Sequence, residues 1–279
     1  MTISYLNGRW QPVEEAKVSV LDRGFLFGDA VYEVIPIYNT RPFNLERHLV
    51  RLDQSLQEVG IDNPFDNEGW SKLIAEAITR SGESYAALYL QVTRGVQSKR
   101  DFVYPKEPVP TVFLMVSEAK SLDRTVIVPH KMVTLDDFRW SRGHIKTVSL
   151  IAAGMLKNKA ISQGANDAIL VKEGQVTECT SSNIFAVFDG VIVTPPKSNQ
   201  LLHGITRDVI VENAIAAGMC VEERELSVAE LDQADELFLS SSTMEAWPIG
   251  ELNGKAVGNG EAGIVWHQVD KLFQAAKKR

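Results

Sequence analysis

The chain has 279 residues, enough for two compact domains or one large one. Hydrophobic residues make up 44% and charged residues 23%, an ordinary globular balance, and the net charge of -7 argues against nucleic acid or an anionic membrane as the main partner. Two cysteines, Cys179 and Cys220, have neither metal-type spacing nor a paired framework, which suits a reducing cytoplasm. Met1–Tyr5 carries no basic leader, and no apolar run approaches a membrane span, so neither a signal peptide nor a membrane anchor is expected.

Ile3–Leu6, Asn7-Gly8 and Arg9–Val13 predict a hairpin, because Asn-Gly suits a tight turn. Val18–Leu21 reads as a short strand, Asp22–Asp29 as a compact loop, and Ala30–Tyr38 as a second strand turning at Asn39-Thr40. Asn44 is placed to cap a helix over Leu45–Val59 that Gly60 ends. Leu45, Leu49, Leu52, Leu56 and Val59 form its apolar stripe, while His48 and Arg51 lie on a neighbouring face that, by spacing alone, reads as solvated. A second helix is predicted over Glu68–Arg80, then strands over Tyr85–Thr93 and Thr111–Ser117 with a long cationic loop between them.

The polar stretch Glu118–Arg124 suggests a boundary, giving domains of 1–119 and 120–279. Beyond it a strand is expected over Thr125–Thr134, a helix over Ile151–Ser162, and strands at Ala168–Val171, Val176–Glu178, Asn183–Phe188 and Val191–Thr194. A helix begins near Gly204 with Thr206 or a neighbour as its cap and stops at Gly218. Val221–Leu226 and Glu236–Leu239 read as strands, Ser227 and Glu230 have capping-box spacing, and a last amphipathic helix covers about Ala262–Ala276.

Lys146 lies at a junction, with Ile145, Thr147 and Val148 beside it and the alanine-rich helix after it. A lysine buried in apolar surroundings loses its proton more easily, and a neutral amine forms a Schiff base with an aldehyde. Three features suit a phosphorylated cofactor: the helix start Gly204-Ile205-Thr206, the hydroxyl run Ser240–Thr243, and Arg51 if it points inward. Glu178 could face a pyridine nitrogen and favour its protonated form, which strengthens the ring as an electron sink. Taken singly, each of these residues has an ordinary structural use. Zinc-type spacing, a dinucleotide fingerprint, a P-loop and Gly-x-Ser-x-Gly are all lacking.

As a set, the residues resemble the class IV, or fold type IV, aminotransferases that use pyridoxal phosphate, with the bacterial D-amino-acid (D-alanine) enzymes as the nearest branch. The matching pieces are Asp22-Arg23-Gly24, Phe27-Gly28-Asp29, Val31-Tyr32-Glu33-Val34, His48–Leu52, Gln91–Gly95, Arg139-Trp140, Ile145-Lys146, Val176-Thr177-Glu178, Ser181-Ser182-Asn183, Gly204–Val209 and Asp235–Phe238. They keep order and spacing along nearly the whole chain.

The resemblance implies an α+β, two-domain fold, with a small N-terminal α/β domain and a larger strand-rich C-terminal domain carrying the cofactor lysine. It implies a cytoplasmic homodimer that moves an amino group between a D-alanine-like D-amino acid and a 2-oxo acid, pyruvate or 2-oxoglutarate, by a ping-pong Schiff-base mechanism. Lys146 would bond the pyridoxal 5'-phosphate aldehyde, and Glu178 would face the ring nitrogen. Arg51, Ile205, Thr206 and Ser242 would hold the phosphate, and Leu202 would lie against the ring. Tyr32 and Arg100 would bind the substrate carboxylate, Arg100 coming from the partner subunit. D-Amino-acid enzymes typically carry His two residues after this loop arginine. Phe102 stands there, in a loop one residue longer, and cannot donate a hydrogen bond to a carboxylate. Lys99, Arg100 or Tyr104 could compensate. Alternative readings are 4-amino-4-deoxychorismate lyase, a branched-chain L-aminotransferase, and a catalytically silent protein that binds the cofactor.

Overall fold

A computed structural model describes residues 2–119 and 122–278. It divides into two compact units, Met1–Ser121 with Ile145–Leu150, and Leu122–His144 with Ile151–Arg279. Lys120 and Ser121, beside the expected boundary, lie outside the described residues.

The first unit contains β1 (Ile3–Leu6), β2 (Arg9–Pro12), α1 (Arg23–Phe27), β3 (Ala30–Tyr38), β4 (Arg41–Pro42), α2 (Leu45–Val59), α3 (Asn67–Ser81), β5 (Tyr85–Thr93) and β6 (Thr111–Glu118). Its strands form one antiparallel sheet in the order β2-β1-β6-β5-β3-β4. Alternation sets the faces: Ala86, Leu88, Leu90 and Val92 of β5 are buried in the core, as are Val31, Ile35 and Ile37 of β3. Leu49, Leu52 and Leu56 of α2, and Trp70, Ile74, Ala77 and Ile78 of α3, complete that core. Burying each large apolar side chain there contributes about 1.5–3 kcal/mol. Gly60 ends α2 in the left-handed conformation (φ 64°), where a Cβ would strain the backbone.

Three expectations change in this unit. Val18–Leu21 is not a strand, and Val18 and Val20 are exposed. The compact loop contains α1, capped by Asp22, whose Oδ1 accepts from Gly24 N–H at 2.8 Å. Asn44 is the N-cap of α2 but is left-handed (φ 52°) and makes no side-chain capping bond.

The lysine segment, expected within the second domain, packs with the first unit. Tyr32 N–H donates to Lys146 O at 3.0 Å, Val148 N–H donates to Ala30 O at 3.1 Å, and Val31 bridges Thr147. Ile145 joins the core that β3 shares with α2. Backbone pairing to β3 thus decides where Lys146 belongs.

The second unit contains β7 (His130–Asp136), α4 (Ile151–Ser162), β8 (Asp167–Lys172), β9 (Gln175–Cys179), β10 (Asn183–Phe188) and β11 (Val191–Thr194). It continues with α5 (Ile205–Ala216), β12 (Val221–Glu223), α6 (Val228–Leu231), β13 (Glu236–Ser241), β14 (Glu245–Leu252), β15 (Lys255–Ala256) and α7 (Ile264–Ala276). Nine strands form a mixed sheet in the order β12-β11-β10-β13-β14-β7-β8-β9, with β15 on β14. β7 begins at His130 rather than Thr125, and β12 stops at Glu223. β14 is a strand that local pattern missed, because Pro248 and Gly250 interrupt it and its pairing with β7 shifts register between Ile249 and Glu251. It pairs with β13 over its first part and with β7 over its last, so tertiary pairing overrides propensity. Among the described residues no helix is long and apolar enough to cross a membrane.

Candidate active site

In the first unit, β3 sends alternate side chains to opposite faces. Glu33 shares the buried face with Val31 and Ile35, so its carboxylate enters the core beside α2. His48 and Arg51, one turn apart on α2, meet it there. Arg51 Nε donates to Glu33 Oε1 and Nη2 to Oε2, both at 2.8 Å, and His48 Nδ1 lies 2.7 Å from Oε2. Both residues are buried, so the solvated face expected from spacing is instead a charged network under the sheet.

Burial alone would raise the Glu33 pKa, but Arg51 outweighs it and holds the carboxyl well below the usual carboxylate range. Burial pushes His48 down, and the pull of Glu33 only partly offsets this. The signal for Glu33 was available in the sequence: a charged residue in phase with Val31, Ile35 and Ile37 on an otherwise apolar strand face.

Tyr32 points the other way. Its ring stacks on Tyr89 of β5 with centroids 5.6 Å apart, and Lys146 Nζ lies 4.3 Å from its centroid. Burial, with Tyr32 beside it, pushes the Tyr89 hydroxyl up to about 12, so that phenol stays neutral. Lys146 N–H donates to Ser55 Oγ of α2 at 3.3 Å. Lys146 and Tyr32 are therefore together, and Arg51 is held on Glu33. Arg100 is exposed in the loop after β5.

In the second unit Glu178 is buried on β9. Its Oε1 accepts from Arg139 Nη1 at 2.7 Å, and its Oε2 from Leu202 N–H at 3.1 Å and Asn183 Nδ2 at 3.4 Å. Arg139 also donates from Nε and Nη2 to Asp137 at 2.9 and 2.8 Å. Burial opposes ionisation at both ends, but the pairing prevails: it raises the Arg139 pKa and lowers that of Asp137. Arg139 and Asn183 stand within the sequence motifs, but nothing local to them pointed to this part. Cys179 beside Glu178 is buried, and that burial pushes its thiol far up, making it a poor nucleophile.

Leu202 lies two residues before Gly204, the N-cap of α5, so one stretch carries both a donor to Glu178 and a helix N-terminus. The N-cap is Gly204, not Thr206, and no side chain caps the first turn, where Ile205 and Thr206 are buried. A Cβ at position 204 would collide with the Asn183 carboxamide, so glycine is required for this close approach. Amides at such an end, with the helix dipole, favour an anion. Ser242 is half-buried in the turn after β13, and the buried Ser240 Oγ has no hydrogen-bond partner among the described residues.

A profile of the Amino-transferase class IV family matches residues 30–252. D-alanine aminotransferase of Listeria monocytogenes is 36% identical over 263 residues, covering 93% of this chain and 91% of that one. The enzyme of the same name from Bacillus licheniformis is 36% identical over 268 residues, covering 96% and 94%. Among solved structures, a branched-chain amino acid aminotransferase of T.th. with pyridoxamine 5'-phosphate has a TM-score of 0.90 at 27% identity, covering 99% of this chain and 94% of that one. By family profile, relatives and fold together, the chain belongs to the class IV aminotransferases.

Proposed function

We propose that the protein transfers an amino group between a D-alanine-like D-amino acid and a 2-oxo acid such as pyruvate or 2-oxoglutarate, using pyridoxal 5'-phosphate. The 36% identity to D-alanine aminotransferases over more than nine tenths of both chains carries the choice of substrate. The donor set fits the cofactor. Uncapped amides at Ile205 and Thr206 behind a required Gly204 suit a phosphate, and Ser240 Oγ is an unpartnered buried hydroxyl in the same unit. Glu178 is a carboxylate held by a cation and an N–H.

Each residue has a distinct task in this reading. Arg51, the Ile205 and Thr206 amides and Ser242 hold the phosphate, and Leu202 packs against the ring. Glu178, fixed by Arg139, keeps the proton on the ring nitrogen. When bound, pyridoxal phosphate supplies an aldehyde that captures amines and a protonated ring that draws electron density from the substrate α carbon. Lys146 takes the proton from that carbon as a base and later returns one as an acid. Tyr32 orients the substrate carboxylate, with Arg100 contributed by the partner subunit of a homodimer. Two alternating half-reactions give ping-pong kinetics.

An amine-donor panel of paired D- and L-amino acids, with pyruvate and 2-oxoglutarate as acceptors, tests the substrate. D-alanine is expected to lead. Transamination of L-leucine without D-alanine would replace this reading with the branched-chain one, which the solved neighbours favour: the Thermoproteus uzoniensis branched-chain enzyme with norvaline has a TM-score of 0.89 at 25% identity. Lys146→Ala is expected to lower turnover about ten-thousandfold while the far-UV circular dichroism is unchanged. Near-normal turnover would remove Lys146 from the chemistry.

A further inference from the structure

We infer that Phe27 and Phe102 are positioning residues for Arg100, two phenyl rings that hold its guanidinium in place of an acidic partner and leave its N–H donors for a carboxylate. The inference rests on the reading of Arg100 as a substrate-carboxylate group.

The Arg100 Cζ lies 5.0 Å from the Phe27 ring centroid and 5.4 Å from that of Phe102, and the two rings are 5.3 Å apart. Among the described residues Arg100 has no ion pair; the nearby carboxylate of Asp101 is taken by Lys99 at 3.2 Å. A ring binds the face of a guanidinium and leaves its edge donors unused, whereas a carboxylate would occupy the fork itself.

The cradle is anchored on both sides. Asp101, between Arg100 and Phe102, has its carbonyl held by Arg23 Nη1 at 2.6 Å and Gln97 Nε2 at 3.0 Å, while its Oδ1 accepts from Val103 N–H at 3.1 Å. Arg23 is buried, is fixed to Asp29 at 2.7 Å and lies 4.7 Å from the Phe27 centroid. Phe27 ends α1, whose first turn Asp22 caps. Arg94, buried and paired with the same Asp29, holds the Tyr104 ring 3.6 Å from its Cζ. Residues 100 and 102 therefore flank a pinned peptide. Unlike an imidazole, the phenyl pair has no proton to gain near neutral pH, so the grip on a carboxylate stays constant where an imidazole would titrate.

The test compares holoenzymes of the wild type with Phe102→Ala, Phe102→Leu, Phe102→His and Arg100→Ala. It measures kcat and KM for the best amine donor of the panel across pH, and the dissociation constant of propionate from the cofactor absorbance. The alanine and leucine variants are expected to raise KM and the propionate constant about threefold to tenfold, the scale of a lost cation–π contact, with kcat within about twofold. Phe102→His is expected to give KM a new titration near pH 6–7. Unchanged KM in Phe102→Ala and Phe102→Leu, with a raised KM in Arg100→Ala, would overturn the cradle while leaving the carboxylate role of Arg100 intact. An Arg100→Ala variant with unchanged KM and propionate affinity would overturn both. A fall in kcat at constant KM in Phe102→Leu would assign the ring to structural upkeep and also overturn the cradle.

Discussion

Two buried ion clusters are built around opposite centres, a carboxylate in the first unit and a guanidinium in the second. In the first unit Glu33 holds one arginine, Arg51, and a histidine that burial keeps neutral. In the second, Arg139 holds two carboxylates, Asp137 and Glu178. The first cluster thus gathers a helix's cation and imidazole on one carboxylate, and the second gathers two carboxylates on one guanidinium. In the proposed function the second arrangement fixes Glu178 for a protonated ring nitrogen, because a carboxylate favours the charged form of a cation beside it. The first makes sense as a rigid mount for a guanidinium, because a bidentate carboxylate fixes its plane.

Removing the Glu178 charge is the strongest way to break this contrast. Under the proposed function, in which Glu178 keeps the ring protonated, Glu178→Gln is expected to lower kcat about a hundredfold. Loss of the long-wavelength absorbance of the bound cofactor with falling ring protonation would report the same event. If Glu178→Gln turned over like the wild type, the second cluster would be structural only.

In the first cluster the expected cost is stability. Glu33→Gln leaves Arg51 and His48 buried without their carboxylate, and breaking such a pair costs about 3–5 kcal/mol. Chemical denaturation measures it, and a change under about 1 kcal/mol would mean that Arg51 finds water or another partner.

The smallest effect concerns pH. His48 has its pKa lowered by burial, so below the ordinary 6.5 the unfolded chain takes up a proton that the folded chain resists. Stability from this group is present above that pH and is lost as pH falls. Glu33, also lowered, adds its own loss only below its ordinary 4.5. His48→Gln is expected to flatten the fall in melting temperature between about pH 6.5 and 5 without touching the part below. An unchanged slope would show that other groups set it.

Much of this was legible beforehand because local pattern governs it. The leucine spacing of α2 and the alternation of β3 and β5 gave their bounds, since helix and strand periods are properties of the backbone. Glu178 and the glycine before α5 could be named from their motif neighbours. What stayed hidden depends on distant partners. His48 and Arg51 have the spacing of a solvated face, and Glu33, 15 and 18 residues away, meets them on the buried side. Pro248 and Gly250 hid β14, a strand imposed by its neighbours. Arg139 meets Glu178 across 39 residues, a pairing that composition and periodicity do not encode.

The two backbone bonds that hang Lys146 on β3 have an engineering consequence. They fix the backbone on which the amine is carried against Ala30 and Tyr32. That makes the segment Ile145–Leu150 a fixed point for redesign, since it belongs to the first unit although the chain on both sides of it belongs to the second.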